Sequence, residues 1–124
     1  MEEYIIIGNL DTNKFREISK NIVTNNVIIT YKQIEHINQR RNGIYDKYKN
    51  DLLDIITNPD YIFKDMHKDT ALIIKKAERN IGLVLRLATD SNLGYKNSIL
   101  TMWEIGEKRL DEYLRNVKII YKKE

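Results

Sequence analysis

Thr70-Ala71-Leu72-Ile73-Ile74-Lys75-Lys76-Ala77-Glu78-Arg79-Asn80-Ile81-Gly82-Leu83-Val84-Leu85-Arg86-Leu87-Ala88-Thr89 is the stretch on which the fold class turns. Two short apolar segments, Ala71 to Ala77 and Leu83 to Thr89, flank Asn80-Ile81-Gly82, which reads as a turn. The same texture extends outward. Asp60 to Lys64 comes before and Asn97 to Ile105 after, with Lys68-Asp69 and Asp90 to Gly94 as further turns. Gaps this short leave no room for crossover helices, so the spacing predicts an antiparallel sheet.

Ahead of Pro59 the period changes to that of helices. Thr30-Tyr31-Lys32-Gln33 fits a capping box, a hydroxyl at the N-cap with Gln three residues later. Its helix runs to about Arg41 with Ile34 and Ile37 inward, and Lys32, His36 and Arg40 form a stripe beside them. Asn42-Gly43 ends it. A second helix is expected from Ile44 to Ile56, burying Tyr45, Tyr48, Leu52, Ile55 and Ile56, with Asn58-Pro59 as its stop. Nearer the start, Tyr4 to Ile7 and Val27 to Ile29 are short apolar runs, and Phe15, Ile18 and Ile22 fall at helical spacing. Beyond the sheet, Leu110, Tyr113 and Leu114 mark a helix from Glu107 to Asn116, and Val117 to Tyr121 supplies a last strand. Residues 1–124 therefore read as one α+β domain, its N-terminal helices packed on one face of a C-terminal antiparallel sheet of four to five strands.

Composition narrows the chemistry. A chain of 124 residues, 42% hydrophobic and 31% charged with one proline, is globular rather than disordered. The absence of cysteine excludes disulfides, thiol nucleophiles and thiolate-bound zinc. His36 and His67 are the two histidines, far apart and outside any HExxH spacing, so no metal and no other cofactor is expected. No apolar run is long enough for a membrane span. Met1-Glu2-Glu3 is acidic where a signal peptide would be basic, which points to the cytoplasm. The net charge of +3 equals the local excess between Tyr31 and Asn50, where Lys32, Arg40, Arg41, Lys47 and Lys49 face Glu35 and Asp46. An anionic partner is expected there. Abundant Ile, Lys and Asn suggest an AT-rich bacterial or phage genome.

His36 with Arg40 one turn later is the first candidate for chemistry. Imidazole moves protons near neutrality and guanidinium holds phosphate bidentately. RNA cleavage through the 2′-hydroxyl needs both functions. A solvent-exposed histidine on a basic helix has the same spacing. Arg86 is the second candidate, placed by alternation between Val84 and Ala88, opposite the leucines. A charge there contacts phosphate or pairs with an acid. Lys75 and Lys76 fall on alternate faces, so only one of them can join Arg86. In the third candidate, alternation sets Asn97, Ile99, Thr101 and Trp103 against Ser98, Leu100 and Met102. Thr101 there binds phosphate or is simply a strand former. Trp103 stacks on a base or belongs to the core.

Several of these pieces, taken in order, resemble the phage-associated branch of the barnase/EndoU/colicin/RelE-like (BECR) nuclease fold. They are Val27-Ile28-Ile29-Thr30, Glu35-His36-Ile37, Asn58-Pro59-Asp60-Tyr61-Ile62 and Thr70-Ala71-Leu72-Ile73 with Lys75. Arg86-Leu87-Ala88, Tyr95 to Trp103, Tyr113 to Asn116 and Ile119 to Lys123 continue the match. The resemblance implies helices followed by an antiparallel sheet of about four strands, and metal-independent cleavage of tRNA or mRNA. It makes His36 the acid or base, Lys75 and Arg86 the phosphate and transition-state contacts, and Ser98 and Thr101 the groups that orient the scissile phosphate. Lys32, Arg40, Arg41 and Trp103 complete the RNA-binding set.

One position departs from the family pattern. A second histidine often follows the first by five positions, and here Arg41 stands in its place. Arginine holds a phosphate but is a poor proton shuttle. Two readings follow. The first is an endoribonuclease of a phage or mobile element, leaving a 2′,3′-cyclic phosphate. The alternative is a nuclease-fold protein, weak or inactive in catalysis, that binds a host protein, a protein inhibitor or a nucleic acid. A module cut from a larger phage protein is a third, against which the Met1 start is set.

Overall fold

A computed structural model describes residues 3–90 and 96–124. Along the chain run β1 (Tyr4–Asn9), β2 (Asn26–Thr30), α1 (Tyr31–Arg40), α2 (Ile44–Tyr48) and α3 (Leu52–Thr57). Next come β3 (Tyr61–Lys64), β4 (Thr70–Lys75), β5 (Ile81–Arg86), β6 (Asn97–Glu104), α4 (Glu107–Asn116) and β7 (Ile119–Lys122). Among the described residues the strands form a single seven-stranded sheet in the order β1-β2-β6-β5-β4-β3-β7.

That sheet corrects the expected architecture in three ways. It has seven strands rather than four or five, because β1 and β2, the two apolar runs near the start, are part of it. It is mixed, because β2 runs parallel to β6 through Val27↔Asn97 and Ile28↔Ser98. The crossover that parallel pairing requires is the whole segment from α1 to β5, so short gaps between neighbouring strands did not forbid it. Helices also cover both faces. Ala71, Ile73, Leu83, Leu85, Ile99 and Met102 pack with Ile37 of α1, Tyr45 of α2 and Ile55 of α3. Leu72, Ile74 and Val84, which alternate with them, pack with Leu110 of α4. Alternate residues of one strand point to opposite faces, so α4 lies across the sheet from α1–α3.

Local chemistry sets the boundaries. Thr30 stays extended (φ −80°, ψ 153°) and its Oγ1 accepts from the Gln33 amide at 3.1 Å, the expected cap, worth about 1 kcal/mol. Behind α1 the backbone turns through Asn42 (φ 50°) and Gly43 (φ 76°), and the Tyr45 amide donates to Asn38 Oδ1 at 2.9 Å, which opens α2. A side chain at φ 76° crowds its own backbone. Gly43→Ala is therefore expected to lower stability by about 1 kcal/mol in urea unfolding with an unchanged slope.

The expected second helix is broken into α2 and α3 by a 3-10 turn at Lys49–Asp51, which leaves Tyr48 half-buried while Leu52, Ile55 and Ile56 are buried. Near the start, only Thr12–Phe15 coils, as a 3-10 turn, and Phe15 alone of it is buried. Ile81 and Gly82, expected in a turn, open β5. Of the turn expected at Asp90 to Gly94, residues 91–94 lie outside the described residues.

Candidate nucleic-acid interface

Register assembles the site. On the face shared with α4, Ile6 pairs with Ile28, Ile28 with Ser98, Ser98 with Arg86, and Arg86 with Thr70. Paired residues project to the same side, so these five side chains form one row across β1, β2, β6, β5 and β4. Arg86 is half-buried, Ser98 is buried at 8% exposure, and Ile6 is open at 66%. Ser98 Oγ donates to the Lys96 carbonyl at 3.0 Å, and Thr70 Oγ1 donates to the Lys68 carbonyl at 3.0 Å. Both hydroxyls are thereby oriented, with lone pairs free to accept. Thr101 lies further along the same face, opposite Val84.

A bulge decides which face Trp103 takes. Val84 pairs with Thr101 but Leu85 with Ile99, so Leu100 is an extra residue in β6. The shift puts Ile99 and Met102 together toward α1–α3, and Leu100, Thr101 and Trp103 together toward α4. The expected grouping of Ile99 with Thr101 and Trp103 is thus undone. The Trp103 ring lies where a side chain on Gly82 would point, its atoms 3.2 Å from the position of a Cβ. Arg41 reaches the same ring, its guanidinium carbon 5.9 Å from the centroid, a cation–π contact.

The other candidates lie apart from this row. His36, Lys32 and Arg40 form an exposed stripe on α1, beside the apolar side that buries Ile37. α1 packs on the sheet face opposite to Arg86 and Thr101, so His36 stands across the sheet from both. Lys75 pairs with Ile81 on the opposite face, where its ammonium meets Asp54 at 3.3 Å and the Asn58 carbonyl at 2.7 Å. It ties β4 to α3 and does not meet Arg86. His67 is exposed beside exposed Met66. Asn97, read as one polar residue of a strand, is fully buried and ties three segments together. Tyr4, Ile6, Lys96 and Thr70 were not singled out for the site, because only the β1–β2–β6 pairing brings the first three alongside Arg86.

A cleft between the β4–β5 turn and the start of α4 suits phosphate poorly, because Glu78, Glu104 and Glu107 line it with Arg79. Beside it, Tyr48 Oη and Lys47 Nζ both donate to Glu104, the lysine at 3.1 Å. The Tyr48 bond and then Lys47 hold the Glu104 carboxyl below its usual range. A depressed carboxyl stabilises the fold above its unfolded pKa, and that contribution is lost as pH falls through the folded one. The group is exposed, so the effect is small. Acid titration followed by Trp103 fluorescence is expected to show a low-pH step that Tyr48→Phe weakens.

Among the described residues no three His, Asp or Glu side chains gather as a metal site, and no helix is long and apolar enough to cross a membrane. No protein-family model, curated protein or solved structure matches the chain.

Proposed function

We propose that this chain is a metal-independent endoribonuclease of a phage or mobile element, acting on tRNA or mRNA in a bacterial cytoplasm. The observation that carries the reading is the Thr70–Arg86–Ser98 row, a guanidinium between two oriented hydroxyls on three adjacent strands. In the reaction the 2′-oxygen of RNA attacks phosphorus and the bond to the 5′-oxygen breaks. One proton leaves the 2′-hydroxyl and one reaches the departing oxygen, giving a 2′,3′-cyclic phosphate and a free 5′-hydroxyl. His36, to which the resemblance gives proton transfer, stands on α1 across the sheet from Arg86, so the two do not meet on one phosphate. Arg86 holds the phosphate and its developing charge, Ser98 and Thr101 orient it, and Lys32, Arg40 and Arg41 draw in the flanking backbone. The antiparallel β3–β4–β5–β6 meander after α1–α3 is the part of the expected order that the fold keeps, within a seven-stranded mixed sheet that the resemblance did not imply.

The test is incubation of the protein with total bacterial RNA in EDTA, with the ends mapped. Discrete cuts ending in cyclic phosphate, lost in Arg86→Met, are expected. Intact RNA from folded protein across a range of pH would overturn the reading. A second reading, binding to nucleic acid or to a host or inhibitor protein without cleavage, is favoured by two observations. Arg41 stands where a family histidine is frequent, and Lys75 is engaged by Asp54 and Asn58. It predicts a stable complex that tolerates His36→Ala.

A further inference from the structure

Beyond Arg86 the same sheet face continues onto β2 and β1, and nothing in the ribonuclease reading uses that part. Tyr4, 38% exposed, and Ile6, 66% exposed, stand two residues apart on β1, the edge strand. Both project to this face, Tyr4 opposite Thr30 and Ile6 opposite Ile28. Lys96, just ahead of β6, holds its ammonium 5.5 Å from the centroid of the Tyr4 ring. The patch therefore carries an open aromatic ring, an open aliphatic side chain and a cation resting on the ring. Arg86 follows in the same row. Its cations are Lys96 and Arg86, and the row in register with Arg86 is Thr70, Ser98, Ile28 and Ile6.

Such a surface suits one kind of ligand. Unpaired bases offer π-faces to an aromatic ring on a sheet, while their phosphates need cations about one nucleotide away. Paired bases are stacked within a duplex and cannot lie flat on Tyr4. A folded protein partner with an acidic strand would use the cations but would have no need of the exposed ring. We propose that Tyr4 and Ile6 form a stacking platform for an unpaired base next to the phosphate held at Arg86. Lys96 leaves the Tyr4 ring to meet the intervening phosphate. The inference rests on the ribonuclease reading and narrows its substrate to single-stranded RNA, entering across β1.

The probe is a fluorescent 12-nucleotide 2′-O-methyl RNA, which lacks the hydroxyl needed for cleavage, titrated by anisotropy in EDTA. Tyr4→Ala is expected to weaken binding about tenfold or more and Tyr4→Phe less than about twofold. Lys96→Gln should flatten the salt dependence by roughly one phosphate contact. The same sequence as a duplex should bind at least about tenfold more weakly and ignore Tyr4→Ala. The substitution lies on an exposed edge, and Trp103 fluorescence checks that the fold is kept. Equal affinity of Tyr4→Ala and wild type for the single strand, while RNA cleavage by the wild type proceeds, overturns this inference alone. A wild type that neither binds the probe nor cuts RNA overturns the inference and the ribonuclease reading together.

Discussion

Replacing Asn97 with alanine is expected to lower the stability of the fold by about 3 kcal/mol or more. Asn97 has no exposed surface. Its Oδ1 accepts from the Ala88 amide at 2.8 Å, and its Nδ2 donates to the Thr24 carbonyl at 2.7 Å and the Asn26 carbonyl at 2.9 Å. Truncation leaves one buried donor and two carbonyls without this partner, at about 1–3 kcal/mol for each group that stays dry. For a domain of this size the melting temperature should fall by about 10 °C. Asn97→Asp keeps the acceptor toward Ala88 but sets an anion against two carbonyls, so it should be no better than alanine. Thermal and urea unfolding of both variants checks this. A loss below about 1 kcal/mol in the alanine variant would mean that water replaces the side chain.

The second large effect is on chemistry. Arg86→Met is expected to reduce RNA cleavage by about 10²- to 10³-fold, the usual cost of removing one donor to a developing transition-state charge. It alters a half-buried position between Thr70 and Ser98, so it is read together with its own unfolding curve. His36 is exposed on α1, so His36→Ala should hardly change stability, and its effect on cleavage reads the proton role alone. Cleavage that survives His36→Ala but not Arg86→Met would keep the sheet row as the site and transfer the proton role elsewhere.

How much of this was legible before the structure depends on the range of each interaction. The start of α1 was readable because Thr30 and Gln33 are three residues apart and their cap is local. Leu110, Tyr113 and Leu114 gave α4 for the same reason, and β3 to β6 announced themselves by short apolar segments between turns. What failed was non-local. Nothing in Val27 to Ile29 says that it will lie parallel to Asn97 and Ser98, and without that pairing Tyr4 and Lys96 are unrelated residues. Alternation fixes a strand's faces only until a bulge intervenes, and the extra residue at Leu100 reversed the side on which Trp103 was expected relative to Ile99. Lys75 was readable as a cation at a strand end. That Asp54 and Asn58 wait there follows from how α3 packs, which composition does not reveal.

The junction between β2 and β6, two residue pairs long, also has a kinetic meaning. The meander from β3 to β6 joins strands that are neighbours in sequence, so its loops close early and cheaply. The β1–β2 hairpin reaches the sheet only by spanning the whole chain from α1 to β5, and it finds there a short ladder and the side chain of Asn97. Topology therefore predicts a two-stage order, the β3–β6 meander with its helices first and the N-terminal strands last, although Val27 and Ile29 share its core; pulsed hydrogen exchange that protects β1 and β2 as early as β4 and β5 would overturn it.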